Sequence, residues 1–179
     1  MNNYFIYYHY RMPRFAFNKE LWEAGRRVED AALPELNKYF DTDFKRNEND
    51  IFDILDFKDV EAKIIVEVKG RKTSSDAYED TIITASKVMA GHQAIDEGYR
   101  VYFLFVFSDC SKIMELKEDS EFKVKFTGTN CIKHYMIPIS SLDNFIDIKP
   151  ERHPVFDEPE PEPEPEEPDE PEEELEKIN

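Results

Sequence analysis

Residues 64–71, Ile-Ile-Val-Glu-Val-Lys-Gly-Arg, constrain the fold of this chain more than any other segment. The apolar and β-branched residues are typical of a buried strand. Because side chains alternate along a strand, Val66 and Val68 can face a core while Glu67 and Lys69 share the opposite face. An acidic residue stands two positions before a lysine seven times in the chain, so the spacing alone carries little information. The surrounding elements must decide whether Glu67 and Lys69 form a site or a surface salt pair.

Charge divides the chain into a body and a tail. Residues 151–179 hold fourteen acidic residues against Arg152 and Lys177, a net charge of −12 out of −17, which leaves −5 for residues 1–150. Alternating Glu and Pro predict a disordered, extended tail over residues 149–179, which acts either as a solubility device or as an arm for a basic partner protein. We divide the rest into an aromatic N-terminal arm or strand, 1–17, and one domain, 18–148. A mildly acidic body argues against nucleic-acid binding through a broad basic surface.

Cysteine content and hydropathy set further limits. Cys110 and Cys131 are the only cysteines, and no Cys or His spacing suits a zinc site. The longest apolar run, 101–107, is too short to span a bilayer. We therefore expect a soluble intracellular protein without membrane association.

The first helix is predicted over residues 18–40, with Asn18 as its N-cap. Apolar or small residues recur at helical spacing, at Leu21, Trp22, Gly25, Val28, Ala32, Leu36 and Phe40. Pro34 lacks the amide of a helix interior and predicts a kink or restart. Glu29 lies between Gly25 and Ala32, so its carboxylate is expected along the buried face.

The remaining elements alternate between strand and helix. Strands are predicted at residues 44–46 and 51–57, with the second forming a hairpin with the segment that contains Glu67. A helix is predicted over 80–97, with an inward side formed by Ile82, Ile83, Ala85, Ser86, Met89, Ala90, Gln93 and Ala94. A buried strand follows at 101–107, then sheet-extending strands at 112–116, 122–126 and 134–139. Ser140 and Asp143 are expected to cap a last short helix near 142–146.

This order of elements resembles the PD-(D/E)XK nuclease superfamily over residues 18–107. The resemblance rests on the strand Phe52-Asp53-Ile54-Leu55, the strand end Glu67-Val68-Lys69-Gly70-Arg71 and the helix segment Gly25-Arg26-Arg27-Val28-Glu29. It implies an α/β fold with a restriction-endonuclease-like αβββαβ core, a mixed central sheet flanked by helices, here followed by extra C-terminal strands. Segments 98–105 and 134–139 further resemble small nuclease-like proteins of large DNA viruses, which implies the cytoplasm or nucleus of an infected host.

The resemblance implies a Mg²⁺-dependent deoxyribonuclease that hydrolyses phosphodiester bonds, with Mn²⁺ able to substitute. Asp53, Glu67 and Glu29 would hold the metal, and Lys69 would orient the attacking water. Carboxylate oxygens are the ligands that Mg²⁺ prefers, and the metal polarises the phosphate and activates water. A lysine can offset the negative charge that develops in the transition state.

Two aspartates compete for the metal position. If the hairpin turn is centred on Val60, Asp53 lies across from Glu67. If the turn is centred between Glu61 and Ala62, Asp56 lies there instead. We favour Asp53 and keep Asp56 as the alternative.

Supporting roles also have alternatives. Arg71, Lys72 and Lys87 could contact the DNA backbone or be solvated charges. Gln93, predicted on the inward side of its helix, matches a supporting glutamine of some superfamily members but could equally be a satisfied interface residue. Glu29 could pair with Arg26 or Arg27. The rival function is a catalytically inactive binding module whose acidic tail recruits a basic protein.

Overall fold

Two helices cover the two faces of a six-stranded sheet, and a three-stranded sheet packs beside them. The computed structural model describes residues 18–46, 55–127, 131–146 and 148. The helices are α1 (Lys19–Phe40) and α2 (Ala85–Asp96), with a short 3₁₀ turn at Ile139–Ser141. The strands are β1 (Lys45–Arg46), β2 (Phe57–Asp59), β3 (Ile64–Gly70), β4 (Asp80–Thr84), β5 (Arg100–Val106), β6 (Ser111–Leu116), β7 (Lys123–Thr127), β8 (Ile132–Pro138) and β9 (Asp143–Asn144).

The larger sheet is mixed. Its order is β1-β2-β3-β5-β6-β9, with β3 and β5 parallel and the other neighbouring pairs antiparallel. The smaller sheet has the order β4-β8-β7 and is antiparallel. The predicted α/β class with a mixed sheet is confirmed.

Two apolar cores lie on opposite faces of the larger sheet. Val66 and Val68 pack with α1, whereas Ile65 packs with α2. The same alternation along β5 sends Leu104 to the α1 side and Phe103 to the α2 side. Coverage of both faces explains why β3 and β5 are apolar runs instead of alternating patterns.

Helix α1 confirms the predicted cap, since the Asn18 side chain accepts a hydrogen bond from Leu21 N at 3.1 Å. Its buried stripe is Ala24, Val28, Ala32 and Leu36. Leu21 and Trp22, which we expected to face inward, are 52% and 53% exposed because they precede that stripe. The predicted restart at Pro34 is wrong: α1 is one helix from Lys19 to Phe40, and Pro34 lies on its exposed side.

Helix α2 begins five residues later than predicted. Residues 80–84 form β4 because the β-branched run Thr81-Ile82-Ile83-Thr84 favours a strand and pairs with β8. The buried face of α2 is consequently Val88, Gly91 and Ala94. Gln93 is exposed, so the prediction that it faces inward is wrong.

The C-terminal elements differ from the prediction in their partners. Only β6 and β9 extend the larger sheet, while β7 and β8 join β4. The predicted helix near 142–146 is wrong, because Phe145 N donates to Ser111 O beside the short pairing of β9 with β6. The N-terminal arm, residues 51–54 with Asp53, and the acidic tail lie outside the described residues. Neither helix of the described part of the chain is long and apolar enough to cross a membrane.

Candidate active site

Glu67 is a fully buried carboxylate in the middle of the molecule. It lies on β3 between the pairing partners β2 and β5, and its side chain is 0% exposed. Side chains alternate along β3, so Glu67 and Lys69 point toward the α2 side because Val66 and Val68 occupy the α1 side. A charge in this position is expensive to desolvate unless cations and hydrogen-bond donors surround it.

Two ammonium groups hold the two oxygens of Glu67. Lys69 Nζ lies 2.5 Å from Oε1, and Lys87 Nζ from the first turn of α2 lies 2.9 Å from Oε2. Lys87, for which the alternatives were a DNA-backbone contact and a solvated charge, pairs with the Glu67 carboxylate. Spacing along the chain could not reveal this contact, because Lys87 belongs to a helix twenty residues away.

Burial dominates the ionisation of this group. It raises the pKa of Glu67 to about 7, and the charge of Asp56 raises it as well, while Lys69 and Lys87 lower it. Partial burial works against the charged form of Lys69, but the Glu67 carboxylate and Asp56 outweigh it, so the Lys69 pKa is raised. The pair thus has a permanently charged lysine beside an acid that can exchange a proton near neutral pH.

Asp56 is the described aspartate near Glu67, while Asp53 lies outside the described residues. Phe57 pairs with Val66, and Asp56, in the bend directly before β2, is close enough for its charge to act on Glu67. This register has its turn centred between Glu61 and Ala62, the condition that the sequence analysis attached to Asp56. The Asp56 carboxylate also accepts a hydrogen bond from Val68 N at 2.8 Å.

One further residue, Asp59, carries a sequence signal for the hairpin register. Asp59 accepts hydrogen bonds from Glu61 N at 2.9 Å and Ala62 N at 2.8 Å, an Asx-type turn. The Ala62 amide in particular lowers the Asp59 pKa. Asp59 ends β2, and the four residues 60–63 that follow it centre the hairpin between Glu61 and Ala62.

Glu29 lies at the rim of this cluster. Its carboxylate is 3.3 Å from Arg26 and 3.4 Å from Arg46, so the pairing with Arg26 that we kept as an alternative is present. Burial raises the Glu29 pKa, as does the charge of Asp56, while Arg26, Arg46 and Lys69 lower it. The charges of Glu29, Asp56 and Lys69 therefore act on one another.

The remaining predicted residues lie around this centre. Arg71 N continues the strand pairing by donating to Val106 O, and its guanidinium donates to Thr81 Oγ1 at 2.9 Å and to the Ile82 carbonyl. Lys72 is exposed directly after it. Gln93 lies on the exposed side of α2. Its predicted supporting role required an inward position, so the structure does not support that role.

Within the described ranges, no group of three or more His, Cys, Asp and Glu side chains has metal-binding spacing. Mg²⁺ commonly uses one or two carboxylates and completes its octahedron with water and substrate phosphate. Glu67 and Asp56, whose charges act on each other, are the described carboxylates of this cluster that could hold such an ion.

No protein-family model, no curated protein and no solved structure matches this chain.

Proposed function

We propose that this protein is a Mg²⁺-dependent nuclease with a restriction-endonuclease-like core, hydrolysing phosphodiester bonds in DNA. The observation that carries the proposal is the fully buried Glu67, paired with Lys69 at 2.5 Å and close enough to Asp56 for the charge of Asp56 to act on it. Helix α1, the β1–β3 meander, α2 and the parallel strand β5 occur in the order that the PD-(D/E)XK resemblance implies, with the additional strand β4 inserted between β3 and α2.

Stability alone gives no reason for this arrangement. A buried ion pair seldom stabilises a fold more than apolar side chains of the same volume would. The raised pKa of Glu67 shows that burial outweighs the two ammonium groups. Strongly perturbed acids that face a specific charge partner are concentrated at functional sites.

Each residue has a chemical task in the proposed reaction. Glu67 and Asp56 would hold the metal, which supplies Lewis-acid polarisation of the phosphate and a more acidic water. Lys69, 29% exposed, can reach substrate while remaining charged, so it can orient the water and offset charge at the phosphorus. Glu29, whose pKa the charge of Asp56 raises, would help to bind or orient the metal.

The test is hydrolysis of single-stranded, duplex and branched DNA by the full chain with Mg²⁺ or Mn²⁺. We expect Lys69→Ala and the isosteric Glu67→Gln each to reduce the rate by about a hundredfold or more. The matched control is Glu115→Gln, which disrupts the ion pair of Glu115 with Arg100 (2.8 Å) at a partly exposed position. Activity that survives Lys69→Ala would place the site elsewhere.

One observation favours the rival function, a non-catalytic binding module. Lys69 and Lys87 neutralise the Glu67 carboxylate without a metal, although only Oε2 accepts a hydrogen bond, from Lys87. In that case the fold recognises its partner while the acidic tail recruits a basic protein. Calorimetric titration with Mn²⁺ separates the two, since the nuclease requires metal binding that Glu67→Gln weakens and the module requires none.

A further inference from the structure

A groove of about 560 Å³ opens beside the proposed catalytic cluster, at the carboxyl ends of the parallel strands β3 and β5. It lies between the loop of residues 71–79 and the three-stranded sheet. Its volume falls in the range of ordinary small-molecule sites. Crevices at the carboxyl ends of parallel strands are common ligand sites in α/β proteins.

Arg71 belongs both to the groove and to the cluster around Glu67. Arg71 lines the groove, and the charge of Glu67, four residues earlier in the chain, acts on its guanidinium. Three hydrogen bonds, to Gly70 O, Thr81 Oγ1 and Ile82 O, fix it in place. A guanidinium has five N–H donors, so the fixed fork keeps donors for a further acceptor.

The groove combines an apolar floor with a cation and an exposed aromatic ring. Phe107, Met136 and Ile139 contribute apolar surface. Lys125 shares one face of the smaller sheet with Met136, because Lys123 pairs with Met136 and side chains alternate along β7. Tyr78, at 64% exposure, stands at the edge with its ring free of the core.

We propose that this groove binds an unpaired nucleotide of the substrate strand, next to the phosphate at the catalytic cluster. The proposal rests on the proposed nuclease function and deepens it, since it makes the substrate class single-stranded DNA or a duplex with a single-stranded end. Aromatic rings that stack on bases, together with cations along the backbone, are how proteins bind single strands.

The carboxylates of the groove orient this nucleotide. Glu79 and Asp80 also line it and would repel a phosphate. The phosphate therefore lies on the side of Arg71 and Lys125, and the base edge faces the carboxylates, which accept hydrogen bonds from base amino groups. A blunt duplex presents neither a free base face nor a free base edge to the groove.

The experiment measures DNA binding by the full chain in EDTA, using fluorescence anisotropy of a labelled single-stranded oligonucleotide and of the matching blunt duplex. Stacking contributes about 1–3 kcal/mol per base, so we expect Tyr78→Ala to weaken single-strand binding about tenfold. Lys125→Ala should also weaken binding and reduce the salt slope by about one. Tyr78 and Lys125 are surface residues, and thermal melting verifies that both variants fold.

Matched controls come from the opposite face of the same sheet. Phe126 is an exposed aromatic ring, 62% exposed, adjacent to Lys125, and Lys133 pairs with Phe126 across the strands. Phe126→Ala and Lys133→Ala should bind the single strand like the unchanged protein. The proposal is overturned if Tyr78→Ala binds like Phe126→Ala, or if the blunt duplex binds as tightly as the single strand.

A parallel cleavage assay in Mg²⁺ separates the two proposals. Hydrolysis that needs Lys69 but is indifferent to Tyr78 and Lys125 overturns the groove and leaves the nuclease standing. Loss of single-strand binding in both groove variants, without hydrolysis by the unchanged protein, supports the groove and overturns the nuclease.

Discussion

At the scale of single residues, Glu67 is the most unusual ionisable group in the described part of the chain. Its neighbours on β3 are apolar, and only Lys69 and Lys87 compensate its charge. Its pKa of about 7 lies well above the ordinary glutamate value. Protonation of one side chain should therefore be visible in the stability of the whole molecule.

Stability in EDTA should fall as the pH rises from about 4.5 to above 7. Below the unfolded-state pKa, Glu67 is protonated in both states and contributes no pH dependence. Above it the unfolded chain releases the proton first, so the folded state loses stability until the pH passes the folded pKa of about 7. The full loss is about 3 kcal/mol. Urea unfolding of the unchanged protein against Glu67→Gln, which has no proton to lose, measures it, and equal pH slopes would contradict it.

Lys87→Met should move this pH dependence upward. Lys87 lies 2.9 Å from Glu67 and lowers its pKa, so removal of the ammonium raises the pKa further. The stability loss of the variant is then centred at a higher pH than that of the unchanged protein. The same unfolding series measures the midpoint, with Lys133→Met, on the smaller sheet, as the control. A midpoint that stays in place would mean that the ammonium does not act on Glu67 in solution.

At the scale of elements, the local sequence pattern predicted a helix or strand correctly only where long-range pairing did not change the outcome. Helix α1 and the strands β3 and β5 follow from helical spacing and apolar runs, and their predictions are confirmed. The start of α2 could not be read, because residues 80–84 become a strand by pairing with β8, about fifty positions further along. No local sequence pattern distinguishes the strands that extend the larger sheet from the strands that form the smaller sheet.

In the proposed site, too, local sequence properties were predictable and long-range contacts were not. Glu67 and Lys69 were found because alternation along one strand is a local property. Asp56 was ranked below Asp53 because the hairpin register depends on the turn, and the Asp59 signal for that turn was not used. The contact of Lys87 with Glu67 depends on how α2 packs over the sheet, which local sequence pattern does not reveal.

The packing of α2 is tightest at Gly91. A Cβ there would lie 2.6 Å from Leu116 Cδ2 and 3.3 Å from Val101 Cγ1, both in the core. Overpacking costs about 1–3 kcal/mol, against a gain of at most about 1 kcal/mol from the better helix propensity of Ala. We expect Gly91→Ala to lower the free energy of unfolding by about 1 kcal/mol, measured by urea unfolding.

Gly25 on α1 is the matched control. A Cβ at this position meets nothing within 4 Å, so Gly25→Ala should stabilise the protein by about 0.5–1 kcal/mol. The two substitutions are chemically identical and both lie within helices. If Gly91→Ala stabilised the protein as much as Gly25→Ala, the close contact of α2 with β5 and β6 would be wrong.

At the scale of the whole molecule, few cations of the described part of the chain are available to DNA at the proposed site. Lys69 and Lys87 are committed to Glu67, and the guanidinium of Arg71 is partly engaged by backbone carbonyls. The body of the chain, residues 1–150, carries a net charge of −5. Any DNA bound at the groove therefore depends on a small basic surface around Arg71, Lys72 and Lys125, which a competing polyanion on the same chain could occupy.

The acidic tail is such a polyanion, with −12 of the net charge in residues 151–179. A short tether gives a local concentration in the millimolar range, and the competition weakens as salt screens both partners over a Debye length of about 8–10 Å. We expect removal of residues 151–179 to tighten single-stranded DNA binding at low salt, to have little effect at high salt, and to leave the melting temperature unchanged. A full-length variant with the tail carboxylates replaced by their amides should behave like the truncation, because charge and not chain length is the cause. If the truncated protein binds DNA no better than the full chain at low ionic strength, the tail does not compete for the groove and acts as a solubility device or a docking arm for a basic protein.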